Sequence, residues 1–369
     1  MRQVEAIADS KAGPESSASP CVGICVLNWN GWRDTLECVE SLRQQDYPNF
    51  VTIVLDNHSL NDSVEQIRAW AGKNLPESSA FVEYPGAVAR TGGEGQKDSN
   101  LGSAKSADRL VLISNEDNTG FTGGCNTVID YALHRSQPLD YVFLINNDAT
   151  LEPDCLSQLM AVAKESGEGI VGAVMYDETG KHPFFNGRIS MTRQFFFPIV
   201  KWHLPPPATD RDFWPSDCAH GGAMLLRADV LRALQAATGN YFREGLFMYN
   251  EGAELQYHAA RAGHHTVIAR KAIVYHKNAR SSGGTENPIA YYYTERSRLL
   301  VANAVLPVGL KALFHLINLP LATARILKNV VRRRTLAAKA ILEGVLDGYR
   351  GREGKWRRHD DQLRKRKAF

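Results

Sequence analysis

The sequence has no marked excess of either charge. Its 43 Lys and Arg stand against 40 Asp and Glu, a formal net charge of +3 over 369 residues. So small a balance says little about partners, and no nucleic-acid partner is expected. Cysteine is scarce as well. The six cysteines (Cys21, Cys25, Cys38, Cys125, Cys155 and Cys218) make no CxxC pair and no zinc-ligand rhythm. They read as buried thiols in a reducing, cytosolic setting, which sets aside a disulfide framework. No stretch reaches the uncharged apolar length of a spanning helix, and the first residues lack the apolar core of a secretory leader. A cytoplasmic protein is the expectation. What is present is ordinary: 44% hydrophobic and 22% charged residues. That is enough for a sizeable core, in one large α/β domain with appendages or in two modest domains.

Along the chain, residues 1–20 offer little to bury and read as a disordered tail. A first strand runs from Val22 to Leu27 and ends at Asn28-Trp29-Asn30-Gly31. Leu36, Val39 and Leu42 then give an apolar stripe of helical period. A second strand, Val51 to Leu55, ends in Asp56-Asn57 and leads to a helix through Val64, Ile67 and Trp70. This alternation predicts a mostly parallel sheet with crossover helices. Residues 84–108, rich in Gly, Ser, Asp and Lys, read as a flexible, solvent-exposed insertion. Order returns with the strand Leu110 to Ile113 and a glycine-rich turn, Asn118 to Asn126. A helix is expected from about Thr127 to His134.

The segment 183–217 is dense in aromatics and prolines, among them Phe195, Phe196, Phe197, Trp202 and Trp214. It reads as an irregular excursion whose aromatics pack on one another or face an acceptor. From 291 onward the pattern turns helical. Residues 299–330 suit an amphipathic helix pair better than a membrane span. The basic end, with Arg332, Arg333, Arg334 and the cluster Arg364 to Lys367, is either a solvated tail or a peripheral contact with anionic lipid at the inner face of the cell membrane.

The most informative feature is Asn146-Asn147-Asp148, which ends the apolar run Tyr141 to Ile145. In open α/β sheets, ligands bind at the carboxyl ends of the strands. A carboxylate there can take Mg²⁺ or Mn²⁺ with the help of two phosphates. A turn or helix cap after a strand is the plainer alternative for such residues. Asp56-Asn57, ending another strand in the same way, favours the ligand site.

These pieces come in the order seen in glycosyltransferase family 2, and the chain most resembles its rhamnosyltransferase-like branch. The matching stretches include Val22 to Asn30, Val54 to Ser59, Asn118 to Phe121, Gly123 to Asn126, Phe143 to Asp148, Gly221 to Arg227, Val274 to His276, Tyr292 to Arg296 and Asp347 to Arg352. The resemblance covers roughly residues 21–354 and implies a GT-A (Rossmann-like) fold. The organisation it implies is a glycosyltransferase domain over 21–298 and a helical, basic C-terminal extension over 299–369. It also implies sugar transfer from a dTDP- or UDP-sugar to a saccharide or lipid-linked saccharide, in surface-polysaccharide assembly. Asp148 would then be the main ligand of Mg²⁺ or Mn²⁺, with Asn147 beside it and His276 completing the metal site. Asp56 would accept from the ring N–H of a uracil or thymine. Asn28 and Asn30, with Asn57, would line the base and ribose pocket. Gly123 and Asn126 would flank the ribose and diphosphate.

One departure bears on catalysis. An inverting transfer needs a base for the acceptor hydroxyl. In the family that base is the aspartate of a Glu-Asp pair, whereas this chain reads Glu251-Gly252-Ala253-Glu254-Leu255. Three readings stand: Glu254 or Glu251 supplies the base, Asp217 helps hold the acceptor, or the protein is a catalytically silent binding or scaffold protein of the same fold.

Overall fold

The computed structural model describes residues 19–181, 183–185, 187, 207–208, 210–277 and 287–359. Its centre is an eleven-stranded sheet in the order β3-β4-β2-β1-β5-β10-β7-β11-β6, with β8 on β7 and β9 on β11. The strands are β1 (Val22–Asn28), β2 (Phe50–Asp56), β3 (Phe81–Pro85), β4 (Leu110–Ser114), β5 (Tyr141–Asn146), β6 (Ala149–Leu151), β7 (Ile170–Asp177), β8 (Pro183–Phe185), β9 (Phe213–Ser216), β10 (Ala223–Arg227) and β11 (Thr266–His276). From β3 to β5 every pairing is parallel, while β10 runs antiparallel to both β5 and β7. The expected α/β architecture is therefore present, with a mixed second half.

Side-chain alternation explains why these runs are strands covered on both faces. Val22, Ile24, Val26, Leu110, Leu112, Phe143 and Ile145 enter one hydrophobic cluster. Their neighbours Cys25, Val111, Ile113, Val142 and Leu144 enter the cluster on the other face. Helices fill both layers. These are α1 (Trp32–Leu42), α2 (Ser63–Asn74), α3 (Gly86–Arg90), α4 (Gly95–Gly102), α5 (Gly120–His134), α6 (Cys155–Ser166), α7 (Ala228–Thr238) and α8 (Glu251–Arg261). Five of the six cysteines are buried and Cys21 is partly so; all six are free thiols.

Two expectations need correction. Residues 84–108 are not an exposed insertion: they complete β3, an edge strand paired with β4, and form α3 and α4. The buried Asp98 carboxylate organises them, accepting from Tyr84 at 3.0 Å and Tyr131 at 2.7 Å, with Arg135 Nε 3.6 Å away. Polar composition concealed this because the buried set is small and held by one ionic centre. The helix expected from Thr127 starts seven residues earlier, at Gly120. The glycines thus sit within its first turns, where Gly124 lets the helix settle onto Leu27 and Leu55.

In the 183–217 segment, Phe185, Phe213 and Trp214 are buried, the packing alternative for those residues. Phe195, Phe196, Phe197 and Trp202 lie outside the described residues, as do 1–18, the glycine-rich Ser281 to Gly284, and Arg364 to Lys367.

The C-terminal part consists of α9 (Pro288–Val305), α10 (Val308–Val331) and α11 (Thr335–Tyr349). The boundary expected at 298/299 falls inside α9. Asn287 caps this helix, its side chain accepting from Ile289 N at 3.1 Å, and Pro288 opens its first turn.

Candidate active site

Sheet register brings the site together. β1, β2, β4 and β5 are parallel and adjacent, so Asn28, Asp56, Ser114 and Asn146 end at one edge. β6 pairs with β11 so that Ala149 faces His276, which sets Asp148 beside that imidazole. His276 Nε2 lies 2.9 Å from Asp148 Oδ1 and 3.0 Å from Asn146 Nδ2, with both Asp148 and His276 buried.

A cavity of about 150 Å³ opens along this edge. Leu27, Asn28, Trp29, Asn57, Asn118, Phe121, Asn146 and Asn147 line its floor, and Met248, Asn287, Ile289 and His359 its outer wall. Six amides and three aromatic rings suit a neutral, flat, hydrogen-bonding group. The space is on the scale of a single ring, since an apolar cavity of about 150 Å³ holds benzene.

Several residues expected at the ligand also brace the sheet edge. Asp56 is buried behind the cavity floor. Its Oδ1 accepts from Asn28 Nδ2 and Ser59 Oγ, both at 2.6 Å, and its Oδ2 accepts from Ser59 N at 2.9 Å. Asn28 is further tied by Thr35 Oγ1 donating to its Oδ1 at 2.8 Å. Asn30, in the left-handed region at φ 56°, uses Oδ1 to accept from Leu60 N at 2.7 Å. Asn57 donates to Gly120 O at 2.8 Å and accepts from Thr119 N at 3.1 Å, fixing the start of α5. Asn126 is not among the residues lining the cavity. It clamps the Phe242 backbone, donating to its carbonyl at 2.8 Å and accepting from its N–H at 2.9 Å. Gly123 lies a turn inside α5, where a Cβ would come 2.5 Å from Thr119 Cβ. Of the expected donor-pocket residues, Asn28, Asn57 and Asn147 line the cavity. Asn147 is positioned by its amide donating to Thr35 Oγ1 at 3.1 Å.

The two acids of α8 part ways. Glu254 is buried and ion-paired, with Arg243 Nη1 at 3.1 Å from its Oε1, and Arg243 also holds Glu353. That carboxylate is committed. Glu251, the first residue of α8, has its Oε2 shut off from solvent with no hydrogen-bond partner among the described residues. Burial raises its carboxyl to about 7, and the nearby Glu254 charge adds to the rise. Its Oε1 lies 3.4 Å from where a Gly221 Cβ would stand, and Gly222 abuts Asn146 in the same way. Glu251 is thereby linked through this glycine turn to the end of β5. His220, in that turn, is pushed down to about 4 by burial and by His276. Asp217, considered for the acceptor, is exposed.

The chain reaches Glu251 through strained backbone. Phe247, Tyr249 and Asn250 have φ of 64°, 67° and 64°. Such strain persists only where surroundings over-determine it, and it gathers at functional sites. Here Arg296 of α9, fully buried, donates to Leu246 O at 2.6 Å, and Ser297 Oγ donates to Met248 O at 3.0 Å. Gly120 permits the approach from the other side, because any Cβ there would sit 2.3 Å from Phe247 O.

The model for a family described as glycosyltransferase-like family 2 matches residues 100–290, just over half of the 369. The chain belongs to that family. The matched span holds Asp148, the Glu251-Gly252 pair and His276. Among solved structures, the family 2-like chain is similar to GalNAc-T7 with UDP, GalNAc and Mn²⁺, at TM-score 0.53 and 11% identity, covering 78% of this chain and 48% of that one. It is also similar to residues 1–349 of S. aureus TarS in complex with UDP-GlcNAc, at TM-score 0.51 and 14% identity, covering 88% and 81%. At such identities the likeness concerns the fold. The chain spans 42% of the length of the longer S. aureus TarS chain. No curated protein matches it.

The Mn²⁺ in the GalNAc-T7 structure raises the question of whether these residues fit a metal. Asp148 and His276 offer one hard oxygen and one imidazole nitrogen already side by side. Among the described residues no three His, Cys, Asp or Glu side chains are placed to hold a metal ion together. Two protein donors, with diphosphate oxygens and water for the rest, match the way Mg²⁺ or Mn²⁺ is held in nucleotide sites. The donor set fits.

Proposed function

We propose that this protein is an inverting, metal-dependent glycosyltransferase, moving a hexose or deoxyhexose such as rhamnose from a dTDP- or UDP-sugar to a hydroxyl of a saccharide or lipid-linked saccharide. Surface-polysaccharide assembly on the cytoplasmic side of the membrane is the corresponding setting. The observation that carries the reading is Glu251: a carboxylate raised to about 7, with one oxygen unbonded among the described residues, beside the glycine turn that meets the end of β5.

Its pKa suits a general base near neutrality. Glu251 takes the proton of the acceptor hydroxyl as that oxygen bonds to the anomeric carbon. The bond from that carbon to the diphosphate oxygen breaks on the opposite face, and the electron pair leaves with the diphosphate. Asp148 and His276 would hold a divalent cation, which when bound supplies electrostatic stabilisation of the leaving diphosphate. Asn147, Asn57 and Trp29 orient the donor's flat ring.

The test is acceptor-dependent release of nucleoside diphosphate from a panel of dTDP-, UDP- and GDP-sugars with Mn²⁺. Release with one donor supports the reading. Neither turnover nor calorimetric binding across the panel sinks it. Binding without transfer favours the silent, binding-only alternative that Gly252 motivates.

A further inference from the structure

Helix α10 is built inside-out. Its buried stripe, Phe314, Asn318, Ala322 and Asn329, includes two amides. Arg298 of α9 donates to Asn318 Oδ1, and Arg325 Nη2 donates to Glu295 Oε2 at 2.6 Å. The opposite face presents Leu313, Leu316, Leu319, Leu327, Val330 and Val331 to solvent, with Leu316 74% and Val331 82% exposed. An ordinary surface helix does the reverse. Thirteen large hydrophobic residues are exposed among the described residues, and twelve of them lie between Val308 and Tyr349. The exposed apolar residues are therefore gathered on two consecutive helices rather than scattered over the chain.

Charge identifies what covers it. Residues 308–342 carry seven Lys and Arg and no Asp or Glu. Lys328, Arg332 and Arg333 are exposed at the end of the apolar face. We infer that this face docks on an anionic lipid bilayer, with α10 lying in the headgroup plane, its leucines entering the acyl boundary and its arginines meeting lipid phosphates. Over its 24 residues the helix is apolar enough to cross a bilayer by composition alone. A crossing would expose Asn318, Asn329 and Arg325 to hydrocarbon, whereas the in-plane pose keeps them against α9. A second copy of the chain would set one arginine-rich face against another, a repulsive pairing. The inference is independent of the proposed reaction.

The test is co-sedimentation of the full chain with vesicles of equimolar phosphatidylglycerol and phosphatidylcholine, and with phosphatidylcholine alone. Binding is expected on the anionic vesicles only. Replacing Arg332, Arg333 and Arg334 together by Ala should weaken it about a hundredfold, at roughly fivefold per charge. The double variant Leu316→Glu, Leu319→Glu should abolish it while leaving the thermal melt unchanged, since both side chains are exposed. Equal binding to neutral vesicles, no binding to anionic ones, or wild-type binding by the Leu→Glu variant would overturn the inference. So would a dimer in light scattering that the Leu→Glu changes split.

Discussion

Replacing Glu251 by Gln tests the proposed chemistry and the environment of the carboxylate together. A base with a pKa of about 7 is mostly protonated in acid, so kcat/KM for nucleoside diphosphate release should rise with unit slope and level off above about pH 8. At pH 5 the rate should be about a hundredfold below the plateau. Glutamine cannot accept the proton, so the variant should lose about 10²–10⁴-fold at the plateau and lose the acid limb with it. Stability should move the other way. The folded state holds this carboxyl above its ordinary 4.5, so it favours the neutral form. The stability present below pH 4.5 is lost as pH rises through about 7, an amount near ~3 kcal/mol for a shift of this size. Glu251→Gln removes that ionisation, so at pH 8 the variant should melt higher by up to ~3 kcal/mol, while at pH 4 the two proteins should melt together. An acid limb centred near 4.5, or a folded variant with wild-type rate and pH profile, would refute the assignment. Equal melting at both pH values would refute the burial argument.

Three further outcomes are expected. A Cβ on Gly252 would meet Gly221 Cα at 3.7 Å and Gln256 Nε2 at 3.8 Å, ordinary contacts, so Gly252→Asp should fold. In a Glu251→Gln background it should restore product release at least about tenfold, returning a carboxylate to the family's usual place. Asp148→Asn and His276→Gln should each weaken Mn²⁺-dependent donor binding at least about tenfold in calorimetry, with the melt in the absence of metal as the folding control. Gly120→Ala should cost about 2–4 kcal/mol in chemical denaturation, because its φ is +73° and its Cβ would strike Phe247 O. Gly102→Ala, with nothing within 4 Å, should be neutral or mildly stabilising.

The strands and the edge they share were legible because short unbroken apolar runs with abrupt polar ends are local signals. Val22 to Leu27, Val51 to Leu55 and Tyr141 to Ile145 need no partner to be read as strands. The roles of the polar ends were less legible. Asp56, Asn28 and Ser59 bond to one another across two loops, a fact of register and not of spacing. Asn126 clamps a backbone 116 residues away. Choosing between Glu251 and Glu254 depended on Arg243, eight residues before the first and eleven before the second, which no periodicity marks. His359 and Asn287 escaped notice because the cavity's outer wall is assembled from chain distant in sequence. The fold of 84–108 escaped for a different reason: a core organised around Asp98 is indistinguishable from a solvated segment by composition.

The sequence boundary between a catalytic domain and a C-terminal extension hides a mechanical dependence. Glu251 is presented by a loop whose three left-handed residues would relax if unsupported, and much of that support comes from α9. Arg296 also donates to Gly354 O, while Glu353 bonds Arg243, the partner that keeps Glu254 occupied. Trp356 stacks on Tyr292 with ring centroids 4.6 Å apart, and His359 reaches across to Trp29 at 5.4 Å, forming the outer wall of the cavity. The segment after α11 therefore does three things at once: it braces the strained loop, holds one acid out of play, and closes the ring-sized pocket. Because α10 and α11 connect that segment to α9, whatever engages the leucine face of α10 acts on the same packed unit. The leucine face of α10 and the loop that presents Glu251 are thus carried by one packed unit, in which Arg296 of α9 holds the loop.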